Sequence, residues 1–228
     1  MTPEQARAVR EARVFLLDFD GPVCSAFAGY PAPEVAKDLL KDAEKAGTSV
    51  VPEMREESDP MKVLDFLFEA NPRNHVHAEA FLTAAESRSV LDSTPTAGAV
   101  EFLEAAHEFG TPVVVVSNNS PESVRAFLEI QGIESLVVSV VGRNKSSPRL
   151  MKPNPYLLEK ALRGLSVSPA QALMIGDSVT DIEVSQAVGV PSVGYANRPG
   201  KAKRFDELGA DIVVTDMGVL AQALSPHG

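Results

Sequence analysis

An apolar run that stops abruptly in two carboxylates constrains this chain more than any other feature. Residues 14–17, Val-Phe-Leu-Leu, have the composition of a short strand buried on both faces. Asp18 and Asp20 follow at once, with Gly21 and Pro22 behind them. Carboxylates are poor core residues, so they belong where the strand leaves the sheet. In open α/β sheets that edge is where ligands bind. Alone, the stretch reads equally well as a turn, because Asp, Gly and Pro are turn formers.

The rest of the chain supplies the context. Residues 3–12 read as a helix with Thr2 as N-cap and Pro3 in its first position. From residue 95 onward, helical and strand patterns alternate. Helical segments start at Ala97, Ser120, Asn154, Val179 and Pro199. Strand-like runs lie in TPVVVVSNNS, LVVSVVG, ALMIGDS, PSVGYAN and DIVV, which is the last strand. Ser168 and Gln171 have capping-box spacing. Strands separated by helices imply βαβ units and a mainly parallel sheet. Residues 25–92 differ: three segments there carry helical spacing and helix-start signals at Pro33, Asp59-Pro60 and Asn74, with no comparable strand. The expected fold is therefore α/β, with a Rossmann-like, mainly parallel core (1–24 and 93–228) and an inserted α-helical cap (25–92) beside the acid turn.

Composition narrows the partners. The 228 residues carry a formal net charge of −10, which argues against nucleic acid. A phosphorylated metabolite stays compatible, since a few cations or a metal can reverse the sign at one site. Cys24 is the single cysteine, so neither an internal disulfide nor a cysteine zinc site can form, and a small buried hydrophobe is its expected role. The N-terminus is polar and helical rather than a signal peptide, and no apolar stretch approaches the ~18 residues of a membrane span. The cytoplasm is the expected location; the sequence leaves the oligomeric state open.

Polar groups collect at four expected strand exits. Asp18 and Asp20 follow the first. Ser117, Asn118 and Asn119 follow the run at 113–116. Lys152 stands in Lys-Pro-Asn-Pro, where Pro153 keeps it out of helical geometry. Asp177 follows the run at 172–175, with Asp181 one helical turn on. Parallel strands would bring all four exits to one edge. Carboxylates gathered there repel one another unless protonated or bound to a cation, and all-oxygen ligands suit Mg²⁺. The helix beginning at Pro121 would point its positive end to the same edge.

Asp18-Phe19-Asp20-Gly21, the strand ending in Ser117, Lys152 before a Pro, and Gly176-Asp177-Ser178-Val179-Thr180-Asp181 resemble, in order, the four motifs of the haloacid dehalogenase (HAD) superfamily. The resemblance covers essentially the whole chain, and the insert is similar to the cap of phosphoglycolate phosphatases and β-phosphoglucomutases. It implies a Mg²⁺-dependent phosphatase acting on a small phosphorylated metabolite through an aspartyl-phosphate. Asp18 is then the nucleophile, and Asp20 the acid and base. Ser117 and Lys152 bind the phosphoryl group, with Gly21 and Asn118 as further substrate contacts. Asp18, the carbonyl of Asp20, Asp177 and Asp181 form the metal site.

The chain departs from the family at Pro22, where the pattern usually has Thr. The Gly21 N–H is left for the phosphate, whereas the orientation of Asp20 is put in question. Two other functions fit the same groups: a β-phosphoglucomutase-type phosphotransferase, and a cap-bearing HAD protein with reduced turnover. A response-regulator receiver shares the acidic cluster but lacks an inserted bundle. In the insert, Arg55, Lys62, Arg73, His75, His77 and Arg88 read as solvated side chains, and Phe27 and Tyr30 as packing residues. Arg198 and Lys201 read as helix-start surface residues.

Overall fold

The computed structural model describes residues 1–225; the last three residues of the 93–228 segment lie outside it. Strands β1 (Val14–Leu17), β2 (Val113–Val116), β3 (Ser139–Val141), β4 (Ala172–Gly176), β5 (Ser192–Tyr195) and β6 (Ile212–Val214) form one parallel sheet. Their order is β3-β2-β1-β4-β5-β6. The chain therefore builds outward from β1 in both directions, and the crevice at the strand ends opens where that direction switches. Leu16 stands opposite Val114 on one side and Met174 on the other, which places the exits of β1, β2 and β4 level.

Side chains alternate between the faces of a strand. Phe15, Leu17, Val113, Val115, Leu173 and Ile175 share one buried cluster with residues of α1 (Pro3–Glu11), α5 (Ala99–Phe109), α6 (Pro121–Ile130) and α10 (Gly218–Leu224). Val14, Leu16, Val114, Val116 and Met174 share another with residues of α7 (Tyr156–Leu165) and α8 (Val179–Val188). Phe205 of α9 (Lys201–Leu208) packs with Ile182 and Ala196. Both sheet faces are covered, so the strands can be continuous aliphatic runs.

The insert folds as α2 (Ala32–Lys45), α3 (Pro60–Ala70) and α4 (His75–Ser89). Val35, Leu39, Val63, Leu64 and Leu82 form an apolar cluster of its own. Each such side chain, fully buried, contributes roughly 1.5–3 kcal/mol. The two connections to the core are stitched together: Ser93 Oγ donates to the Ser25 carbonyl at 2.8 Å, and the Tyr30 N–H donates to Ser89 Oγ at 3.0 Å.

Three of the helix-start signals held: Thr2 forms a capping box with Gln5, Asp59 accepts from the Met61 N–H, and Ser120 accepts from the Ser123 N–H. Asn74 precedes α4 but makes no side-chain cap, and Ser178, not read as a cap, forms a capping box with Asp181. Two readings need correction. The helix expected over 3–12 ends at Glu11. Of LVVSVVG only Ser139–Val141 is strand, at the sheet edge, although the exposed Val138 still donates its N–H to the Val113 carbonyl at 2.9 Å. DIVV does hold the last strand, and α10, which the sequence reading did not find, follows it and buries Leu220 and Leu224. The Ser168–Gln171 capping box forms as its spacing predicts, on a single 3₁₀ turn before β4.

Candidate active site

β1 and β4 are locked at their exits, where the Asp18 N–H donates to the Ile175 carbonyl at 2.8 Å. Asp18 Oδ1 then accepts from the Phe19 N–H at 2.8 Å and faces Lys152 Nζ at 2.7 Å. The same ammonium donates to Asp181 Oδ1 at 2.7 Å and to the Val116 carbonyl at 3.0 Å. All three of its N–H bonds are thus engaged within the protein. A phosphoryl group beside Asp18 would meet the charge of Lys152 rather than a spare donor. Burial pushes the Lys152 ammonium down, but Asp18 and Asp181 outweigh it and hold it above its ordinary value. Burial, then the negative Asp181, pushes the Asp18 carboxyl well up, while Lys152 pulls it back.

Asp181 is wholly buried at the first turn of α8, with Oδ2 accepting from the Ser178 hydroxyl at 2.7 Å and the Ser178 N–H at 3.0 Å. Asp177 Oδ2 accepts from Asn197 Nδ2 at 2.9 Å and Lys201 Nζ at 2.6 Å. Lys201, read from sequence as a surface residue, therefore reaches the acidic cluster across α9. Asp18, Asp177 and Asp181 each offer one oxygen within 4.8 Å of the others. Three hard anionic oxygens around two lysines fit a Mg²⁺ ion. The Asp20 carboxylate is not in that cluster, consistent with a contribution from its carbonyl alone.

Asp20 faces another way. Its Oδ1 accepts from the Ala26 N–H at 2.8 Å. Burial raises its carboxyl pKa, the Ala26 hydrogen bond lowers it, and Asp177 raises it further. Two neighbouring acids are thus held in different surroundings, as an acid and a nucleophile need to be. The turn carrying Asp20 is fixed without the hydroxyl that Pro22 lacks: Thr96 Oγ1 donates to the Gly21 carbonyl at 2.6 Å, and the Thr96 N–H donates to the Val23 carbonyl at 2.8 Å.

Gly21 itself requires a correction. Its N–H, expected to be free for phosphate, donates to the Cys24 carbonyl at 2.7 Å and closes the turn. Gly21 has φ +111°, and a Cβ there would lie 2.4 Å from Asp177 Cγ, so only glycine lets the turn pass the acid. Cys24 is buried; burial first, then Asp20 and Asp18, pushes its thiol up, as suits a packing residue rather than a nucleophile.

Ser117 and Asn118 follow β2. Ser117 Oγ accepts from the Asn119 N–H at 3.1 Å and donates to Asn119 Oδ1 at 3.1 Å, so a phosphoryl group at the cavity wall would have to take the hydroxyl proton over from Asn119. Asn118 spends its whole side chain on Lys152: Oδ1 accepts the Lys152 N–H at 2.7 Å, and Nδ2 donates to its carbonyl at 3.1 Å. The side chain expected to touch substrate therefore positions the lysine. The start of α6 is occupied too, because the Ser120 N–H donates to Glu86 Oε2 at 3.0 Å.

A cavity of about 320 Å³ joins these groups, with Asp18, Asp20, Ser117, Lys152 and Asp177 on its floor. Its roof is Phe27, Ala32, Ser58, Asp59, Pro60 and Met61. Sequence reading took 59 and 60 only as a helix start, although a loop leading into α3 beside the acid turn is where a roof would be sought. Five of the insert's candidate cations have partners away from the catalytic acids: Arg55 with Glu44, Lys62 with Glu57, His77 with Asp42, His75 with the Lys145 carbonyl, and Arg88 over Tyr30. Lys62 nonetheless lines the cavity that adjoins this one across Asp59 and Met61.

A family model described as haloacid dehalogenase-like hydrolase matches residues 12–189. The chain belongs to that family. Among curated HAD proteins it is similar to a phosphoglycolate phosphatase of Rhodospirillum rubrum, at 36% identity over 131 residues, 56% of this chain and 52% of that one. The chain thus spans about half the length of the curated relatives it matches. Its fold is similar to that of a predicted phosphatase from Clostridium acetobutylicum (TM-score 0.70, 17% identity, 92% of this chain and 97% of the other). It is also similar in fold to CbbY from Rhodobacter sphaeroides in complex with xylulose-(1,5)bisphosphate (TM-score 0.67, 15% identity, 91% and 95%).

Proposed function

We propose that this HAD protein is a Mg²⁺-dependent phosphatase of a small phosphorylated metabolite. The observation that carries the reading is Lys152 set between Asp18 and Asp181, with Asp177 and Asp20 facing the same cavity. Asp18 attacks phosphorus, the bond to the leaving oxygen breaks, and Asp20 gives that oxygen its proton. The acyl-phosphate on Asp18 is then attacked by a water whose proton Asp20 takes up. Inorganic phosphate leaves and Asp18 is regenerated. Lys152 and the Ser117 hydroxyl offset charge on the transferring group. Asp18, Asp177, Asp181 and the Asp20 carbonyl would hold Mg²⁺, which supplies charge neutralisation of the phosphoryl oxygens and favours the carboxylate form of Asp18.

Residues 25–92 act in this reading as the cap that shields the site and chooses the leaving group. The cavity roof offers apolar surface, the Ser58 hydroxyl and one acid, Asp59. A leaving group bearing a carboxylate would face Asp59, and the nearest cations, Lys62 and Arg149, line the adjoining cavity and are paired with Glu57 and Glu69. An uncharged, hydroxylated leaving group, as in a sugar or polyol monophosphate, suits this lining better. The test is phosphate release from a metabolite panel with Mg²⁺. Polyol and sugar monophosphates are expected to exceed phosphoglycolate in kcat/KM by about tenfold or more, which is roughly 1.4 kcal/mol. A preference for phosphoglycolate would overturn the leaving-group assignment, and phosphate release from no ester would overturn the phosphatase.

A further inference from the structure

Arg143 stands two residues beyond β3 and is 2% exposed. A guanidinium out of water needs acceptors for five N–H bonds. Nε faces both oxygens of Glu79 at 3.0 Å, and Nη2 lies 2.9 Å from Glu79 Oε1. Nη1 donates to Glu86 Oε1 at 2.7 Å and Nη2 to Glu86 Oε2 at 3.2 Å. Nη1 also donates to the Asn118 carbonyl at 2.8 Å. Burial pushes the guanidinium down, but Glu86 and Glu79 outweigh it, so it remains charged.

Both glutamates belong to α4, in the insert, whereas Arg143 and Asn118 belong to the core. Glu86 grips the core a second time, accepting from the Ser120 N–H at 3.0 Å and Asn119 Nδ2 at 3.4 Å. The Arg143 N–H donates to the Asn119 carbonyl at 2.9 Å. The turn after β2 is therefore held at three successive residues. From there Asn118 brackets the backbone of Lys152, and Lys152 reaches Asp18.

Stability alone does not call for this arrangement. Two carboxylates and one guanidinium leave a net negative charge buried, and apolar side chains of the same volume commonly join elements as well or better. Apolar side chains cannot fix the direction of a carbonyl and two N–H groups. We infer that Arg143, clamped by Glu79 and Glu86, is a positioning residue for the phosphate-binding turn and couples that turn to α4. The inference rests on the phosphatase reading above.

Hydrogen exchange on the intact protein in Mg²⁺, with and without inorganic phosphate, tests it. Phosphate is expected to slow exchange at 117–120 and in α4 together, by threefold or more. Arg143→Lys keeps the charge and loses the fork. It is expected to abolish the slowing in α4 and to raise both KM and the inhibition constant of phosphate about tenfold. A merely structural role would lower the melting temperature and move neither constant. Slowing at the strand exits with α4 unchanged overturns the inference and leaves the phosphatase standing. So does a folded Arg143→Lys with both constants within twofold of the parent. If Arg143→Lys does not fold, exchange on the unaltered protein still decides. A protein that neither responds to phosphate nor releases it from an ester overturns the phosphatase reading first.

Discussion

Asp18 and Asp20 are two residues apart and differ in what surrounds them. Lys152 lies on Asp18 at 2.7 Å, whereas the Asp20 carboxylate accepts from the Ala26 N–H at 2.8 Å. On the proposed mechanism Asp18→Asn removes the attacking oxygen and keeps the shape, so turnover should fall by at least about a thousandfold with an unchanged circular-dichroism spectrum. Asp20→Asn should behave differently. A p-nitrophenolate leaving group needs no proton, so Asp18 can still be phosphorylated, but the base for the second step is gone. Stopped-flow assays should show a burst of about one p-nitrophenol per molecule and then a slow phase; burst-free normal turnover would remove Asp20 from both steps. Burial, first among its influences, raises the Asp20 pKa. Its stabilising contribution is then fully present below the unfolded value of about 3.9 and is lost as pH rises through the folded value. Metal-free Asp20→Asn should accordingly melt above the parent at neutral pH, with the gap closing near pH 4.

At the scale of elements, strands and strand exits were legible because both rest on short-range chemistry: continuous aliphatic runs, then polar residues that cannot stay in a core. Several helix starts were legible for the same reason, as Thr2, Asp59 and Ser120 satisfy N–H groups within three residues of themselves. What long-range partners decide was not legible. On α4 the inward positions include Ala78, Leu82 and Ala85, but also His75, Glu79, Glu86 and Ser89. Glu79 and Glu86 are seven residues apart, two helical turns, on the same side as Leu82. That repeat was a readable sign of a polar interface, but its partner Arg143 is 57 residues beyond Glu86. The short α10 was missed because its seven residues begin at a glycine. The acid turn is the element where local and distant demands meet. Gly21→Ala would place a methyl on the Asp177 carboxylate at a φ that Ala resists. It should cost about 1–3 kcal/mol in a urea titration and raise the Mg²⁺ concentration needed for half-maximal rate. Wild-type metal dependence in that variant would separate Asp177 from the metal site.

On the scale of the whole molecule, charge and cap raise two separate questions. Of the net charge of −10, three acids crowd one strand edge, so a bound divalent ion should stabilise the fold itself. At a hundred times its dissociation constant, a ligand of the native state adds about 2.7 kcal/mol. For a chain of this size that should raise the melting temperature by about 5–10 °C, reversibly with EDTA. The cap question turns on α4. A cap that swings away as one body must part Arg143 from Glu79 and Glu86, and the Ser120 N–H from Glu86. Charge-assisted hydrogen bonds of this kind contribute about 1.5–3 kcal/mol each. Losing them together costs on the order of 5 kcal/mol or more, which leaves a fully open form at well under 1%. Access should then come from small displacements of the 58–61 loop, and the radius of gyration, about 17 Å for a compact chain of this length, should hardly respond to ligand. X-ray scattering with and without Mg²⁺ and phosphate should agree to within about 0.5 Å. An expansion of about 2 Å in the free protein would show that α4 parts from Arg143, and that its two glutamates do not hold the cap in place.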